Sequence, residues 1–355
     1  MNVYFDVKEF YYLPQYMPIQ EVLNKLGVAT TFVMYGKEGG DVGKLVPSEI
    51  STRWVEGEQE ARDVYLESKP DWLIIGNSFD RLEEVHLNTK TALVSHGIGP
   101  KACYYSVSDS APSVRFVEGP YRTRRLRKMY PDQVFVDTGY AKLDPVINGG
   151  MPKLKPSALG LDDLKKTILY APTFYPSSIE CMQKDFPKEF SNYNIILKPH
   201  YFSLVNEKYA KQKKLLDRWG GESNVYLAGL GDVNILPFLA VSDVLISDAS
   251  STLFEFAALN KPVVWCDFYK LRWGYRGLFK FRFNKRMDED LYRYADIALH
   301  AISYSNLKGC VDSQIENPDS FSQQRKKHTL DLAGRVDGRC SERIVNYILN
   351  GSINA

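Results

Sequence analysis

The segment from residue 243 to residue 265 constrains the fold more tightly than any other part of the chain. Its apolar residues Val244–Ile246 predict a buried strand, and the small polar residues that follow lead into an amphipathic helix. Pro262 ends that helix, and the apolar run Val263–Trp265 predicts the next buried strand. Two strands joined by a polar turn and a helix are the repeating unit of a parallel sheet covered by helices.

Short apolar runs of this kind recur along the whole chain, with helical stretches between them. Before residue 150, the runs are Val3–Phe5, Thr30–Met34, Trp72–Ile75, Ala92–Ser95, Val114–Val117 and Val134–Val136. After it, they are Thr167–Tyr170, Ile195–Leu197, Val225–Leu227, Val244–Ile246 and Val263–Trp265. The alternation predicts two Rossmann-like α/β domains, each built on a parallel sheet.

Glycine and proline residues between Gly149 and Leu161 mark a linker between the two predicted domains. The predicted N-terminal domain therefore covers residues 1–150, and the predicted C-terminal domain covers residues 151–324. Residues 325–355 show helical periodicity and are expected to form helices that brace the two domains. We expect the carboxyl ends of the strands of both sheets to face one cleft.

Composition narrows the class of protein. Apolar residues make up 44% and charged residues 25% of the 355, as in ordinary globular proteins. The 45 basic and 43 acidic residues leave a net charge of +2, which argues against nucleic acid as a partner. The five cysteines are scattered and form no Cys-x-x-Cys pair, so neither a disulfide framework nor a zinc site is expected. No cofactor is indicated, and a requirement for a divalent metal stays open.

The sequence carries no sign of export or of a membrane span. Its first residues lack the basic and apolar regions of a signal peptide. No run approaches the roughly 18 apolar residues that a membrane-spanning helix needs. We therefore expect a cytoplasmic protein that is soluble or peripherally attached to a membrane.

Polar residues follow the predicted strands at five places. These segments are Ser95-His96-Gly97, Thr138–Asp144, Ala171-Pro172-Thr173, Lys198-Pro199-His200 and Ser247–Ser251. Ser250 and Ser251 stand at the start of a helix, where backbone N–H groups bind anions. Glu255 follows one helical turn later, where its carboxylate can accept hydrogen bonds from polyol hydroxyls. The pattern predicts a phosphate-binding site.

In this order, the segments make the chain resemble the CDP-glycerol glycerophosphotransferase family, the teichoic-acid primases and polymerases of GT-B fold. The residues that carry the resemblance are His96-Gly97, Gly139–Asp144, Tyr170–Thr173, Lys198–His200, Ser247–Phe256 and Asn260–Pro262. The chain departs from the family at Gly97-Ile98-Gly99-Pro100-Lys101, where members commonly have Gly-Thr-Pro-Leu-Lys. It departs again after Arg276-Gly277-Leu278-Phe279, where Lys280 and Arg282 replace an acidic residue.

The resemblance implies roles for particular residues. His96 would be the general base, and His200 would assist catalysis as a charged partner of the pyrophosphate. The donor, a CDP-activated polyol phosphate, would contact Gly97, Lys142, Pro172, Thr173, Lys198, His200, Asp248, Ser250, Ser251 and Glu255. The acceptor would be a hydroxyl group of a lipid-linked saccharide or cell-surface glycan, and CMP would be released. Only the resemblance favours glycerol phosphate over ribitol phosphate as the group that is transferred.

Each of these residues also has a simpler structural interpretation. His96 can be a hydrogen-bonded histidine at a strand end. Ser250 and Ser251 can merely cap the helix, since serine is favoured at that position. Asp248 is as well suited to holding its loop as to touching a ligand. His86, His300 and His328 are expected to be structural or exposed.

Two basic segments raise the question of a membrane contact. Residues 121–130 carry five basic side chains, and residues 270–286 interleave cations with aromatic rings. A solvated helix face is the commoner outcome for such a run. The alternative is peripheral contact with an anionic membrane on the cytoplasmic side, which a lipid-linked acceptor would require.

Two other functions stay open at this point. A nucleotide-sugar glycosyltransferase or a sugar-nucleotide epimerase can be built on the same two-domain plan, because a fold does not specify chemistry. A non-catalytic nucleotide- or lipid-binding protein of a surface-polymer assembly complex is the third possibility. Turnover of a CDP-polyol, of a sugar nucleotide or of neither would separate them.

Overall fold

The chain forms two compact units in the computed structural model. The structure describes residues 1–37, 46, 48, 50–99, 103–106, 111–248, 250–271, 277 and 289–353. The first unit consists of Met1–Gly150 together with Leu330–Ala355, and the second consists of Met151–Thr329. The C-terminal residues therefore return to the unit in which the chain begins.

The first unit is built on a seven-stranded parallel sheet with the order β3-β2-β1-β4-β5-β6-β7. The strands are β1 (Asn2–Val7), β2 (Ala29–Tyr35), β3 (Ser51–Val55), β4 (Trp72–Ile75), β5 (Lys90–Val94), β6 (Val114–Val117) and β7 (Phe135–Asp137). The helices in this part of the chain are α1 (Leu13–Lys25), α2 (Glu58–Ser68), α3 (Leu82–Val85), α4 (Cys103–Ser106), α5 (Pro120–Met129) and α6 (Asp144–Ile147).

Both faces of this sheet are buried, which is why its strands read as nearly continuous apolar runs. On one face, Phe5 packs against the rings of Tyr16 and Phe32, with centroid distances of 5.3 and 4.8 Å. The other face carries a separate cluster that includes Tyr65 and Leu73. The edge strand β3 was not predicted, because its sequence Ser-Thr-Arg-Trp-Val begins with three exposed residues and offers little apolar signal.

The second unit contains a six-stranded parallel sheet with the order β10-β9-β8-β11-β12-β13. The strands are β8 (Thr167–Tyr170), β9 (Asn194–Leu197), β10 (Val225–Leu227), β11 (Val244–Ser247), β12 (Val263–Cys266) and β13 (Leu299–Ala301). The helices are α7 (Phe186–Glu189), α8 (Tyr201–Val205), α9 (Ala210–Trp219), α10 (Leu236–Val241), α11 (Ser251–Ala258) and α12 (Tyr304–Glu316). Of the six strands of this sheet, β13 alone was not predicted from the sequence, because it is three residues long and has His300 at its centre.

The last part of the chain forms α13 (Ser322–Ala333) and α14 (Cys340–Asn350). The two helices are separated where Gly334 and Gly338 take positive φ angles of 71° and 74°. Helix α14 packs into the core of the first unit. The Asp144 carboxylate fixes its first turn by accepting hydrogen bonds from the backbone N–H groups of Cys340 (3.2 Å) and Ser341 (2.6 Å).

Gly119 is a described position in the first unit that leaves no room for a side chain. Its φ and ψ angles are 85° and 157°, and a Cβ atom there would lie 2.3 Å from the carbonyl oxygen of Asp331. We expect Gly119→Ala to lower the free energy of unfolding by about 3 kcal/mol, from backbone strain and from overpacking. Gly149 also has a positive φ, 72°, but a Cβ there would meet nothing within 4 Å.

Gly149→Ala is therefore the matched control, with an expected loss of about 1 kcal/mol. Urea unfolding of both variants measures the difference. Equal losses would contradict the assignment of Gly119 to a close backbone contact.

Candidate functional site

In the second unit, the polar segments predicted to bind the donor lie at one edge of the sheet. Strand β8 pairs with β9 on one side and with β11 on the other, and all three are parallel. Their carboxyl ends therefore meet, and each leads directly into a polar segment. Pro172 and Thr173 follow β8, Lys198 and His200 follow β9, and Asp248 follows β11. This edge is where open α/β sheets bind their ligands.

Asp248 organises this edge of the sheet. Its carboxylate is buried and accepts hydrogen bonds from the backbone N–H groups of Thr173 (2.7 Å) and Ser178 (2.8 Å). The hydroxyls of Ser178 (2.9 Å) and Ser177 (3.4 Å) also donate to it. Burial raises the pKa of Asp248 to about 6, and the hydrogen bonds oppose that rise. Asp248 therefore holds the loop after β8, the structural role that the sequence had left open.

Ser250 caps helix α11, as the simpler interpretation of the sequence predicted. Its Oγ accepts a hydrogen bond from the backbone N–H of Thr252 at 3.3 Å. Capping leaves the positive end of the helix dipole at the carboxyl edge of the sheet, beside Ser251. The side chain of Glu255 is almost fully buried, with 1% exposure.

His200 caps helix α8 with its ring. Nδ1 accepts a hydrogen bond from the backbone N–H of Phe202 at 3.2 Å. The ring of Phe174 lies 4.5 Å from that of His200, centroid to centroid.

In the first unit, His96 lies in the loop that follows β5 and is surrounded by tyrosine rings. The ring centroids of Tyr11, Tyr12 and Tyr104 lie 5.0, 5.2 and 5.6 Å from that of His96. Tyr12 stacks nearly parallel to the imidazole, while the other two approach edge-on. Tyr140 donates a hydrogen bond from its hydroxyl to the backbone carbonyl of His96 at 3.0 Å. His96 itself is half-buried.

The basic run 121–130 is not one solvated face. It forms most of α5, and Arg122 points into the first unit with 3% side-chain exposure. Arg125 is half-buried, with its guanidinium carbon 3.9 Å from the centroid of the Tyr105 ring. Arg124 and Lys128 are exposed. Sequence patterns do not separate these positions, because the inward-facing Arg122 has the same charge as its exposed neighbours and is compensated by an ion pair with Glu118.

Two predicted donor-binding residues belong to the first unit. Gly97 follows His96 and is buried. Lys142 lies in a short 3-10 helix and has 8% exposure. Its backbone N–H donates a hydrogen bond to Oε1 of Gln15 at 3.2 Å. The other predicted donor-binding residues lie in the second unit. Arg115 and Arg122, which hold the loop around His96, were missed by the sequence analysis.

Some predictions fall on residues outside the described part of the chain. Among them are Pro100 and Lys101, and residues 272–276 and 278–288 of the aromatic and basic segment 270–286. In the described ranges, no helix is long and apolar enough to span a membrane. The same ranges contain no group of three or more histidine, cysteine, aspartate or glutamate side chains arranged to hold a metal ion.

Comparison with known proteins relates this chain to enzymes of teichoic acid synthesis. The teichoic acid glycerol-phosphate primase of Bacillus subtilis (strain 168) is 33% identical over 193 residues, which cover 52% of this chain and 44% of the primase. The teichoic acid poly(glycerol phosphate) polymerase of Bacillus spizizenii (strain ATCC 23059 / NRRL B-14472 / W23) is 27% identical over 240 residues, covering 62% and 54%. The chain thus matches about half the length of these curated relatives.

Solved structures agree in fold. The wall teichoic acid polymerase TagF superposes with a TM-score of 0.70 at 17% identity, covering 99% of this chain and 88% of that chain. Another structure of that polymerase was soaked with CDPG. A UDP-N-acetylglucosamine 2-epimerase superposes with a TM-score of 0.61 at 15% identity, covering 98% and 95%. These likenesses, with the two parallel sheets, confirm the predicted GT-B fold.

The resemblance noted from the motifs is also confirmed. A model of the family described as CDP-Glycerol:Poly(glycerophosphate) glycerophosphotransferase matches residues 100–350. That match covers more than half of the chain, so the chain belongs to this glycerophosphotransferase family.

Proposed function

We propose that this protein transfers glycerol phosphate from CDP-glycerol to a hydroxyl group of a lipid-linked saccharide and releases CMP. The observation that carries the proposal is the family match over residues 100–350, which includes the polar edge of the second sheet. The names of the relatives and the CDPG-soaked polymerase support CDP-glycerol as the donor. The epimerase shares only the fold, so a sugar nucleotide is the weaker candidate.

The donor side of the proposal rests on charge and hydrogen bonding. A pyrophosphate needs donors and positive potential, which the N-terminus of α11 supplies through its dipole and its backbone N–H groups. Lys198, which follows β9, adds a cation at the same edge of the sheet. Asp248 acts indirectly, because it keeps the loop of Thr173 ordered against β11.

The chemical step requires that an acceptor hydroxyl lose its proton as its oxygen attacks the β-phosphorus of CDP-glycerol. We assign His96 as the base that takes this proton. A new P–O bond forms to the acceptor, the bridging P–O bond to the α-phosphate breaks, and CMP leaves with the bonding electrons. Imidazole suits the role because it titrates near working pH. The tyrosine rings around His96 restrict its orientation, which favours proton transfer along a defined direction.

A lipid-linked acceptor places the reaction at a membrane, and we propose the cytoplasmic face. The exposed basic side chains of α5 are the described residues best suited to meet anionic lipid. Arg124 has 68% of its side chain exposed, and Lys128 is exposed on the same helix. Each such cation near an anionic surface contributes about 1 kcal/mol.

The first prediction concerns the reaction itself. Purified protein should release CMP from CDP-glycerol in the presence of a lipid-linked or synthetic disaccharide acceptor, as followed by mass spectrometry. His96→Ala should lower kcat by about 10²- to 10⁴-fold, the usual contribution of a general base. His86→Gln is the control, because the ring of His86 hydrogen-bonds through Nε2 to the hydroxyl of Thr91, at 2.7 Å, in a helix-to-strand turn. Nucleotide release from UDP- or CMP-sugars alone, or full activity in a folded His96→Ala variant, would refute the assignment.

The second prediction concerns donor binding. Thr173 and Ser178 donate their backbone N–H groups to different oxygens of Asp248, so in Asp248→Asn the amide NH₂ group would face one of these two N–H groups and the loop after β8 should loosen. We expect KM for CDP-glycerol to rise about tenfold, equivalent to one lost charge-assisted hydrogen bond. Asp243→Asn is the matched control, because Asp243 bonds to the N–H of Thr167 (2.8 Å) at the opposite end of β11. Equal KM values in the two variants would contradict the role of Asp248.

A third prediction follows from the pKa of Asp248. Because burial raises this pKa from 3.8 to about 6, the contribution of the group to stability is complete below its unfolded pKa and is lost as pH rises through about 6. Asp248→Asn removes the titration. The free energy of unfolding of the wild type, relative to this variant, should therefore decrease between pH 4 and pH 7. Urea unfolding at several pH values across that range measures how the free energy of unfolding changes with pH. An equal change in the wild type and in the variant would exclude the raised pKa of Asp248.

The fourth prediction concerns the membrane. Arg124→Ala/Lys128→Ala should weaken binding to phosphatidylglycerol-containing vesicles by about 30-fold at low salt, from two lost cations. Lys211→Ala/Lys214→Ala removes the same charge from exposed positions on α9 and should change binding little. Cosedimentation with vesicles of phosphatidylcholine alone gives the baseline. Equal weakening by the two double variants would show that α5 is not the contact.

A further inference from the structure

Arg122 connects α5 to the loop that carries His96. Its Nη2 donates a hydrogen bond to the carbonyl oxygen of Gly99 at 2.7 Å, and its Nη1 lies 3.4 Å from the carbonyl oxygen of Gly97. Nη1 also forms an ion pair with Glu118, one helical turn before Arg122. Both charged side chains have 3% exposure. In such a buried setting, a charged hydrogen bond is strong and its geometry is restricted.

The same guanidinium also supports one of the rings that contact His96. Its carbon lies 4.8 Å from the centroid of the Tyr104 ring, in cation–π contact. The Tyr104 carbonyl oxygen accepts a hydrogen bond from Nη2 of Arg115 at 2.6 Å. Nη2 of Arg115 also lies 3.2 Å from the hydroxyl oxygen of Ser95, the residue before His96. Two buried arginines therefore fix the chain before His96, the chain after it and an aromatic neighbour of its ring.

The arrangement depends on the shape of a guanidinium. Its planar set of five N–H donors serves a carboxylate and two carbonyl groups that lie in different directions. A lysine ammonium keeps the charge but has one nitrogen, which cannot occupy both donor positions. Burial alone would lower the pKa of Arg122, but Glu118 and the nearby tyrosines outweigh burial, and the pKa is raised. The group is thus a permanent cation, so a change in its bonding comes from geometry and not from titration.

We propose that Arg122 is a positioning residue for His96, acting through the carbonyl groups of Gly97 and Gly99 and through the Tyr104 ring. This inference deepens the proposed function, because it rests on His96 as the base of the transfer. Arg122 itself touches neither substrate nor reacting atoms. Its ion pair with Glu118 makes α5 the anchor of the loop.

The decisive variant is Arg122→Lys, which retains the cation and leaves Glu118 paired. We expect kcat for CDP-glycerol to fall by about 10- to 100-fold, as for a base displaced by about 1 Å. KM for CDP-glycerol should change by less than about twofold, because the donor contacts are untouched. Arg62→Lys is the matched control. Arg62 is also buried in the first unit, and its guanidinium lies 3.7 Å from Glu84 and 3.4 Å from the carbonyl oxygen of Asp80.

A second variant covers the case in which Arg122→Lys fails to fold. Glu118→Gln/Arg122→Met removes both charges, so that no buried carboxylate is left uncompensated. It deletes the donors to Gly97 and Gly99 while keeping side chains of similar volume. Thermal unfolding shows which variant is folded at the assay temperature, and kcat should fall in this variant as it does in Arg122→Lys.

An NMR measurement tests the positioning independently of turnover. The chain has five histidines, and the ring signals of His96 in ¹³C-histidine-labelled protein are assigned by their loss in His96→Ala. Arg122→Lys should shift these signals and the midpoint of their pH titration, whereas Arg62→Lys should not. A purely structural role for Arg122 would lower the unfolding temperature without moving the titration of the native state.

The outcomes separate the two proposals. Loss of kcat together with a moved His96 titration supports the positioning role. An unmoved titration in a folded Arg122→Lys variant, or kcat within about twofold of the wild type, overturns it. If the wild type turns over no CDP-glycerol, the proposed function fails, but the titration still decides whether Arg122 controls the environment of His96.

Discussion

The buried carboxylate of Asp248 is the interaction on which the candidate donor site depends. It gathers two backbone N–H groups and two serine hydroxyls from the loop after β8, and so ties that loop to the end of the neighbouring strand β11. Removing such a group from water is costly, and the raised pKa of Asp248 reflects that cost. The hydrogen bonds offset it, and an ordered loop beside the N-terminus of α11 is the result.

In the first unit, the loop that carries His96 is held by buried positive charges, where the second unit uses the negative charge of Asp248. There, the buried groups are the guanidiniums of Arg115 and Arg122, and they donate to carbonyl and hydroxyl oxygens instead of accepting from N–H groups. Only Glu118 compensates them by direct ion pairing among the described residues. In both units, therefore, a buried charge holds irregular backbone at the carboxyl edge of a parallel sheet. Irregular backbone needs such partners because its N–H and C=O groups lack the regular backbone hydrogen bonds of a helix or a sheet.

How far the sequence predicted the molecule can be judged from particular elements. Four strands, β4, β6, β8 and β10, have the predicted bounds, because each is a short and mainly apolar run. Strands β4, β6 and β8 are fully buried, whereas the edge strand β10 is half-buried. Strands β3 and β13 were missed, since an edge strand with polar residues carries no such run. Capping was one of two interpretations offered for Ser250 and Ser251, and the structure shows it for Ser250; a helix N-cap is a local feature that sequence can indicate. Arg122 was not recognised, because its partners Gly97 and Gly99 lie more than twenty positions away.

The sequence by itself determined the α/β architecture, the family and the segments that carry polar chemistry, because periodicity, breaker residues and motif order are properties of neighbouring positions. Tertiary structure decided what those polar groups do. It buried Asp248 against the loop after β8, made Nδ1 of His200 a helix cap, and surrounded His96 with three tyrosine rings. Burial and hydrogen-bond geometry arise from contacts between distant segments, and a pattern of neighbouring residues does not contain them.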